Sequence, residues 1–179
     1  IALPGEHNKR NATLVLETLD YLQEVQDFNF GDKYYERAVA ALNNFPGTDR
    51  RFEKITDGIF SDYGHHPVEI KATLQMAQEI AKRDNYAGVA LVYQPHQNVR
   101  QVEIQDEYTP ELFSDANKVI WLPTYLSRED PALEILKPEL LARKIDTEKI
   151  NYGDLNDDLK HKINGLRAEN YLVLAMNAG

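Results

Sequence analysis

The chain is 179 residues long, 42% hydrophobic and 27% charged, and its 20 Lys and Arg against 29 Asp and Glu leave a formal net charge of -9. This composition excludes collagen, coiled coil and a wholly disordered chain, and the acidic balance argues against a general binder of nucleic-acid backbones. No apolar stretch reaches the roughly 18 residues that cross a bilayer. The absence of cysteine excludes disulfide scaffolds, Cys–zinc sites and thiol catalysis, and suits a reducing cytoplasm.

The length fits one domain, or one domain with a piece of another. The chain opens at Ile1 and runs at once into Leu3-Pro4-Gly5-Glu6-His7-Asn8. Neither the basic nor the apolar region of a signal peptide is present there. At the far end, Tyr171 to Ala175 reads as a buried strand, followed by a turn up to Gly179. A chain that starts inside a motif and stops on a strand is expected to be part of a longer protein.

From Asn8 to about Glu24, Leu14, Val15, Leu19 and Leu22 recur at helical spacing. After a break at Phe28–Gly31, Asp32 opens a second helix with Tyr35, Val39, Ala40 and Leu42 on one face, ending near Phe45-Pro46-Gly47. The best boundary is Pro46-Gly47-Thr48. Beyond it, Phe52–Asp57 and Gly58–Tyr63 read as two strands around the hairpin dipeptide Asp57-Gly58. His66-Pro67 begins a long helix to about Asp84, with Ile70, Leu74, Ala77 and Ile80 as its buried stripe. Gly88–Tyr93, Lys118–Leu122 and Tyr171–Ala175 are continuous apolar runs, as in strands covered on both faces. Helical patterns lie between them at Pro110–Ala116, Pro138–Lys144 and Asn156–Gly165. The alternation predicts an α/β fold, a layered sheet with helices on both faces, preceded by a short helical segment.

No P-loop or dinucleotide-binding glycine pattern occurs, and the 9 glycines are scattered singly, so this stretch builds no phosphate-cradling loop by itself. Ser61, Ser114 and Ser127 lack the G-x-S-x-G elbow of a serine hydrolase. Asp62-Tyr63-Gly64-His65-His66-Pro67 stands between a strand and a helix. In open α/β sheets ligands bind at that end of the strands. The cluster reads as ligand contact or as a capped helix start with packed imidazoles, and adjacent histidines make a poor metal site. Tyr93-Gln94-Pro95-His96-Gln97-Asn98-Val99-Arg100 ends a second strand. There Arg100 is either a carboxylate clamp or a solvated loop charge. Arg50 and Arg51 either reach phosphates across a cleft or form a charged linker, and on charge alone the linker wins. His7 and Asn11 stand one helical turn apart, facing a common ligand or capping the helix.

Together these segments carry a resemblance. Pro4-Gly5-Glu6-His7-Asn8-Lys9-Arg10-Asn11-Ala12 resembles the P-G-x-H-N-x-x-N-A signature of Mur ligases. Phe45 to Glu53 resembles the family's F-x-G-x-x-R-R-F-E hinge. Ser61-Asp62-Tyr63-Gly64-His65-His66-Pro67, running on through Glu69-Ile70 and Ala72-Thr73-Leu74, resembles its D-D-Y-x-H-H-P-x-E-I-x-A-T-L stretch, and Tyr93-Gln94-Pro95-His96 the following F-Q-P-H. The order and spacing point to the UDP-N-acetylmuramate–L-alanine ligase branch, most closely over residues 4–100.

The resemblance implies a cytoplasmic, ATP-dependent ligase of peptidoglycan precursor synthesis, serving the cell wall and so cell shape and division. Such an enzyme activates a carboxylate as an acyl phosphate with ATP and magnesium and joins L-alanine to UDP-N-acetylmuramate. Residues 1–47 would be the helical tail of the central ATP-binding domain, and 48–179 a nearly complete C-terminal Rossmann-like domain. The UDP-sugar domain, the P-loop and most magnesium ligands would lie upstream in the same chain, leaving this part inactive alone. His7, Asn8 and Asn11 would contact the adenine, Arg51 and Arg50 the nucleotide phosphates, and Asp62 the ribose or its surroundings. His65, His66, His96 and Arg100 would face the amino-acid side. No resident metal site, nucleic-acid partner or membrane span is implied. Gln97 departs from the family, which carries arginine directly after Q-P-H. Two alternatives accompany this reading: a cell-wall recycling peptide ligase of the same family, and a non-catalytic nucleotide-binding module.

Overall fold

Helical spacing near the start of the chain and continuous apolar runs alternating with helical patterns after residue 50 mark two separate pieces of structure. The computed structural model describes residues 1–145 and 148–177, and its contacts fall into two units, Ile1–Gly47 and Thr48–Gly179.

The first unit is a pair of packed helices, α1 (Glu6–Val25) and α2 (Tyr34–Asn43). Gly5 caps α1 at φ 82°, a backbone angle that favours glycine. The buried stripe of α1 is Ala12 and Leu16, with Leu19 half-buried, while Leu14 and Val15 are exposed. At about 100° per residue, 12, 16 and 19 share a narrow arc and 14 lies opposite, which corrects the stripe read from apolar residues alone. In α2, Tyr35 and Ala40 are exposed and Tyr34 turns inward, its hydroxyl donating to Asp20 Oδ1 at 2.6 Å.

The second unit is a six-stranded sheet. Its elements are β1 (Glu53–Thr56), β2 (Ile59–Asp62), α3 (Pro67–Arg83), β3 (Gly88–Tyr93), α4 (Asn98–Ile104), β4 (Lys118–Trp121), α5 (Pro138–Leu141), β5 (Ile150–Tyr152), α6 (Asp157–Ala168) and β6 (Tyr171–Met176). The order across the sheet is β1-β2-β6-β3-β4-β5. The β1–β2 hairpin is antiparallel and every other pairing is parallel. β1 and β2 turn at Asp57-Gly58, with Gly58 at φ 75°.

Side chains of successive residues on β3 and β6 point to opposite faces. Val89, Leu91, Tyr93, Leu172, Leu174 and Met176 join the large core on the α3 side. Ala90, Val92 and Val173 join the smaller core against α6. Helices therefore cover both faces, and the continuous apolar runs are the strands buried twice over. α6 starts where Asn156 Oδ1 accepts the Leu159 amide at 3.1 Å, an ordinary N-cap.

Three details differ from the sequence expectation. Pro110–Ala116 is a series of turns, not a helix: the Leu112 amide bonds back to Thr109 and that of Ala116 to Phe113, three residues each, because Leu112, Phe113 and Ala116 all bury against the core. The helix read over Pro138–Lys144 keeps only Pro138–Leu141. α4 and β5, both short, carry no strong periodic signal. The turn read after β6 falls partly on Ala178 and Gly179, outside the described residues. Among the described residues no helix is long and apolar enough to cross a membrane.

Candidate active-site edge

The parallel strands end together on one edge of the second unit, and the loops that leave them carry most of the marked residues. β2 runs out into Asp62-Tyr63-Gly64-His65-His66, β3 into Gln94-Pro95-His96-Gln97, and β4 into Leu122 to Tyr125. Because β6 lies between β2 and β3, the first two loops meet across its end. There the His65 and His96 rings lie 5.7 Å apart.

The edge is lined by rings. Tyr63 meets His65 edge-on at 5.4 Å, and His96 stacks on Tyr125 at 5.7 Å with an interplanar angle of 11°. At the far end two guanidiniums face Tyr63, Arg50 at 4.5 Å and Arg51 at 5.6 Å from the ring centre, a cation–π arrangement. Arg51 also reaches Glu69 at 3.7 Å.

Asp62 is placed differently from its neighbours. It is buried, and its carboxylate accepts the amides of Phe52 (2.9 Å) and Gly64 (2.7 Å) and the Thr73 hydroxyl (3.4 Å). It thereby fixes the turn that carries Arg50 and Arg51. Arg50 and Phe52 both stand at positive φ, 58° and 49°, and the Arg50 amide is held by Glu53 Oε2 at 2.9 Å.

Glu69 closes the start of α3, accepting the amides of His65 (3.1 Å) and His66 (3.2 Å). Burial pushes its carboxyl up, but these two amides and the charges of His65 and Arg51 more than offset that and hold it below the usual range. His66 itself is exposed at the helix cap. Burial, then the charges of His65 and Arg100, hold His96 below the ordinary imidazole range, against the opposing pull of Glu129. Its Nδ1 is buried without a partner among the described residues. Arg100 sits on the first turn of α4 and is half-buried.

The structure thus gathers Arg50, Arg51, His65, His96 and Arg100 on one edge, with Asp62 beneath them and His66 outside. His7, Asn8 and Asn11 belong to the first unit. They occupy the first turns of α1, where the Asn8 side-chain amide donates to the Pro4 carbonyl at 2.9 Å. Tyr63, Tyr125 and Glu129 share the edge without having been marked as site residues. Only the position of Tyr63, inside the Asp62–Pro67 cluster, could have signalled one of them.

The chain is similar along its whole length to curated ligases. A UDP-N-acetylmuramate–L-alanine ligase of Acidobacterium capsulatum is 32% identical over 181 residues, covering 99% of this chain and 36% of that protein. The enzyme of the same name from Koribacter versatilis is 36% identical over 149 residues, covering 81% of this chain and 29% of its own. The chain belongs to the Mur ligase family. No family model matches it. The fold is that of the UDP-N-acetylmuramate–alanine ligase of Thermotoga maritima, with a TM-score of 0.70 at 23% identity over 99% of this chain and 35% of that one. A murein peptide ligase of Psychrobacter arcticus is also similar, with a TM-score of 0.58 at 23% identity and the same coverages. This family member spans about a third of the length of the curated relatives it matches.

Proposed function

We propose that the chain is the C-terminal part of an ATP-dependent ligase of peptidoglycan precursor synthesis that joins L-alanine to the carboxyl group of UDP-N-acetylmuramate. In this reading residues 1–47 end the ATP-binding domain and 48–179 form the C-terminal domain. The observation that carries it is the strand-end edge, where Arg50 and Arg51 stand at one end and His65, His96 and Arg100 at the other. A ligase of this kind needs cations for phosphate oxygens beside a pocket for an amino acid, held in one frame.

The residues take roles accordingly. Arg51, with Arg50, binds nucleotide phosphates, for which a planar five-donor fork is well shaped. Asp62 serves that contact by anchoring the turn, through Phe52, rather than by pointing at the nucleotide. His7, Asn8 and Asn11 hold the adenine. His65, His66, His96 and Arg100 face the amino acid and the new amide, and His96, whose pKa burial lowers, favours accepting a hydrogen bond from an ammonium or amine. Bound ATP and magnesium supply the phosphoryl transfer that activates the carboxylate. The cations of this chain fit the phosphates. Among the described residues no three His, Asp or Glu side chains gather as metal ligands do.

A second reading is favoured by Gln97, which stands where the family has an arginine: a ligase that adds a peptide in cell-wall recycling. The test is a ligation assay on the protein that contains this chain together with its sugar and ATP-binding parts. Phosphate release that needs both UDP-N-acetylmuramate and L-alanine supports the first reading. Release with a peptide and not with L-alanine moves the chain to the second, and ATP binding without turnover on either would leave a nucleotide-binding module.

A further inference from the structure

No motif marks residues 124–129, yet this loop is built onto the site. Beyond the ends of β3 and β4 the Tyr125 amide donates to the Pro95 carbonyl at 2.8 Å, and the Gln97 amide to the Tyr125 carbonyl at 2.9 Å. His96 and Tyr125 thereby form one more parallel rung, which sets their rings side by side at 11°.

The same loop holds the residues that follow. Glu129 Oε1 accepts the amides of Asn98 (3.0 Å) and Ser127 (2.9 Å), and Oε2 that of Val99 (3.3 Å). One carboxylate therefore closes its own loop and ties it to the first turn of α4. Between the two ties stands Gln97, at φ 60° and ψ 119°, a conformation that side-chain-bearing residues rarely adopt and keep only where neighbours hold them. From below, the Gln101 side-chain amide donates to the His96 carbonyl at 2.9 Å. The Gln101 Oε1 in turn accepts from Tyr108, whose hydroxyl pairs with that of Tyr93 at 2.9 Å.

We propose that Tyr125 and Glu129 are positioning residues of this site, Tyr125 setting the plane of the His96 ring and Glu129 holding the strained Gln97 turn against α4. The proposal rests on the reading that this edge receives the amino-acid side of the substrate, and it names what shapes that side. The Tyr125 ring is 43% exposed, so it adds little to the core, and its stacking partner is His96. The charges that face His96 come from three elements: His65 after β2, Arg100 on α4 and Glu129 on this loop.

The test is a pH titration of the imidazole signals of the 179-residue chain by NMR, with hydrogen exchange of the Gln97 amide, in the wild type and three variants. Glu129→Gln weakens the three hydrogen bonds from the Asn98, Val99 and Ser127 amides, so Gln97 amide exchange speeds about tenfold, and with this opposing negative charge gone the His96 midpoint falls by roughly 0.5 pH unit. Tyr125→Ala removes the stacked ring, shifts the His96 ring signals and speeds Gln97 amide exchange about tenfold. Tyr125→Phe keeps the ring and restores wild-type His96 signals. A loop that is merely structural would lower the thermal midpoint in Glu129→Gln and Tyr125→Ala while the His96 midpoint and Gln97 exchange stayed put, and that result overturns the proposal. Turnover is not needed for this readout. Loss of the ligase reading in the assay above leaves the positioning result standing, and a failed titration beside normal L-alanine ligation removes the positioning role alone.

Discussion

The Phe52 amide donates to the buried carboxylate of Asp62 at 2.9 Å, tying the turn that bears Arg50 and Arg51 to the end of β2. The same carboxylate takes the Gly64 amide and the Thr73 hydroxyl. The turn before β1 and the loop after β2 are thus held by one carboxylate.

Asp62→Ala is expected to destabilise the chain by about 3 kcal/mol, since bonds to a charged acceptor are worth roughly 1.5–3 kcal/mol and their donors would be left buried. Asp62→Asn keeps one acceptor oxygen and should lose about half as much. Urea unfolding of both variants checks this. A side chain that contacted ligand without anchoring the turn would leave the midpoint unchanged.

Gly64→Ala tests the closeness of the same corner. A Cβ there would stand 2.7 Å from Asp62 Oδ1 and 2.8 Å from Met176 Cε, both too near for contact. Overpacking of this kind costs roughly 1–3 kcal/mol. The thermal midpoint should fall, and a crystal structure of the variant should show Met176 displaced.

His96 and Glu69 are among the groups that make stability fall as pH drops, and they act in separate windows. His96 is held below the ordinary imidazole range and Glu69 below the ordinary carboxyl range. For both, the folded state binds its proton less readily than the unfolded chain. The stabilisation is therefore complete above the unfolded pKa and is lost as pH falls towards the folded one. The His96 contribution fades below 6.5, the ordinary imidazole pKa, and that of Glu69 below 4.5, the ordinary carboxyl pKa. Denaturation midpoints between pH 7 and 3 should decline in two steps. His96→Gln should remove the first step and Glu69→Gln should shrink the second, to which the lowered carboxyls of Glu111 and Glu129 also contribute, and a profile unchanged in either variant contradicts the assignment.

Arg51→Ala should raise the KM for ATP roughly 10-fold or more in the protein that contains this chain, through loss of a bidentate phosphate contact. Arg51→Lys should recover only part, because an ammonium lacks the planar fork. Kinetics at saturating amino acid check this. Equal KM values in wild type and Arg51→Ala would mean that the guanidinium serves only Tyr63 and Glu69.

Much of the fold was legible because burial leaves a plain mark. Gly88–Tyr93, Lys118–Leu122 and Tyr171–Ala175 are apolar throughout, and the structure places β3, β4 and β6 on them, covered on both faces. The Asp57-Gly58 turn and the helix start at Pro67 are set by local chemistry, and both stand where that chemistry puts them. Pro110–Ala116 has a helical pattern yet forms turns, because its apolar residues sink into the core instead of propagating a helix.

What the sequence determined alone was local or carried by motif: the strands and turns, the polar clusters at strand ends, and the likeness to Mur ligases. Tertiary structure decided which clusters meet. The His65 and His96 loops touch because β6, from the far end of the chain, lies between β2 and β3. The inward turn of Asp62 depends on a partner amide ten residues earlier. Tyr125 and Glu129 join the site through a rung and two hydrogen bonds from the Asn98 and Val99 amides, formed across separate elements. Composition and periodicity report each residue's burial and its near neighbours. Contacts between distant segments are fixed by strand order, which no short stretch of sequence encodes.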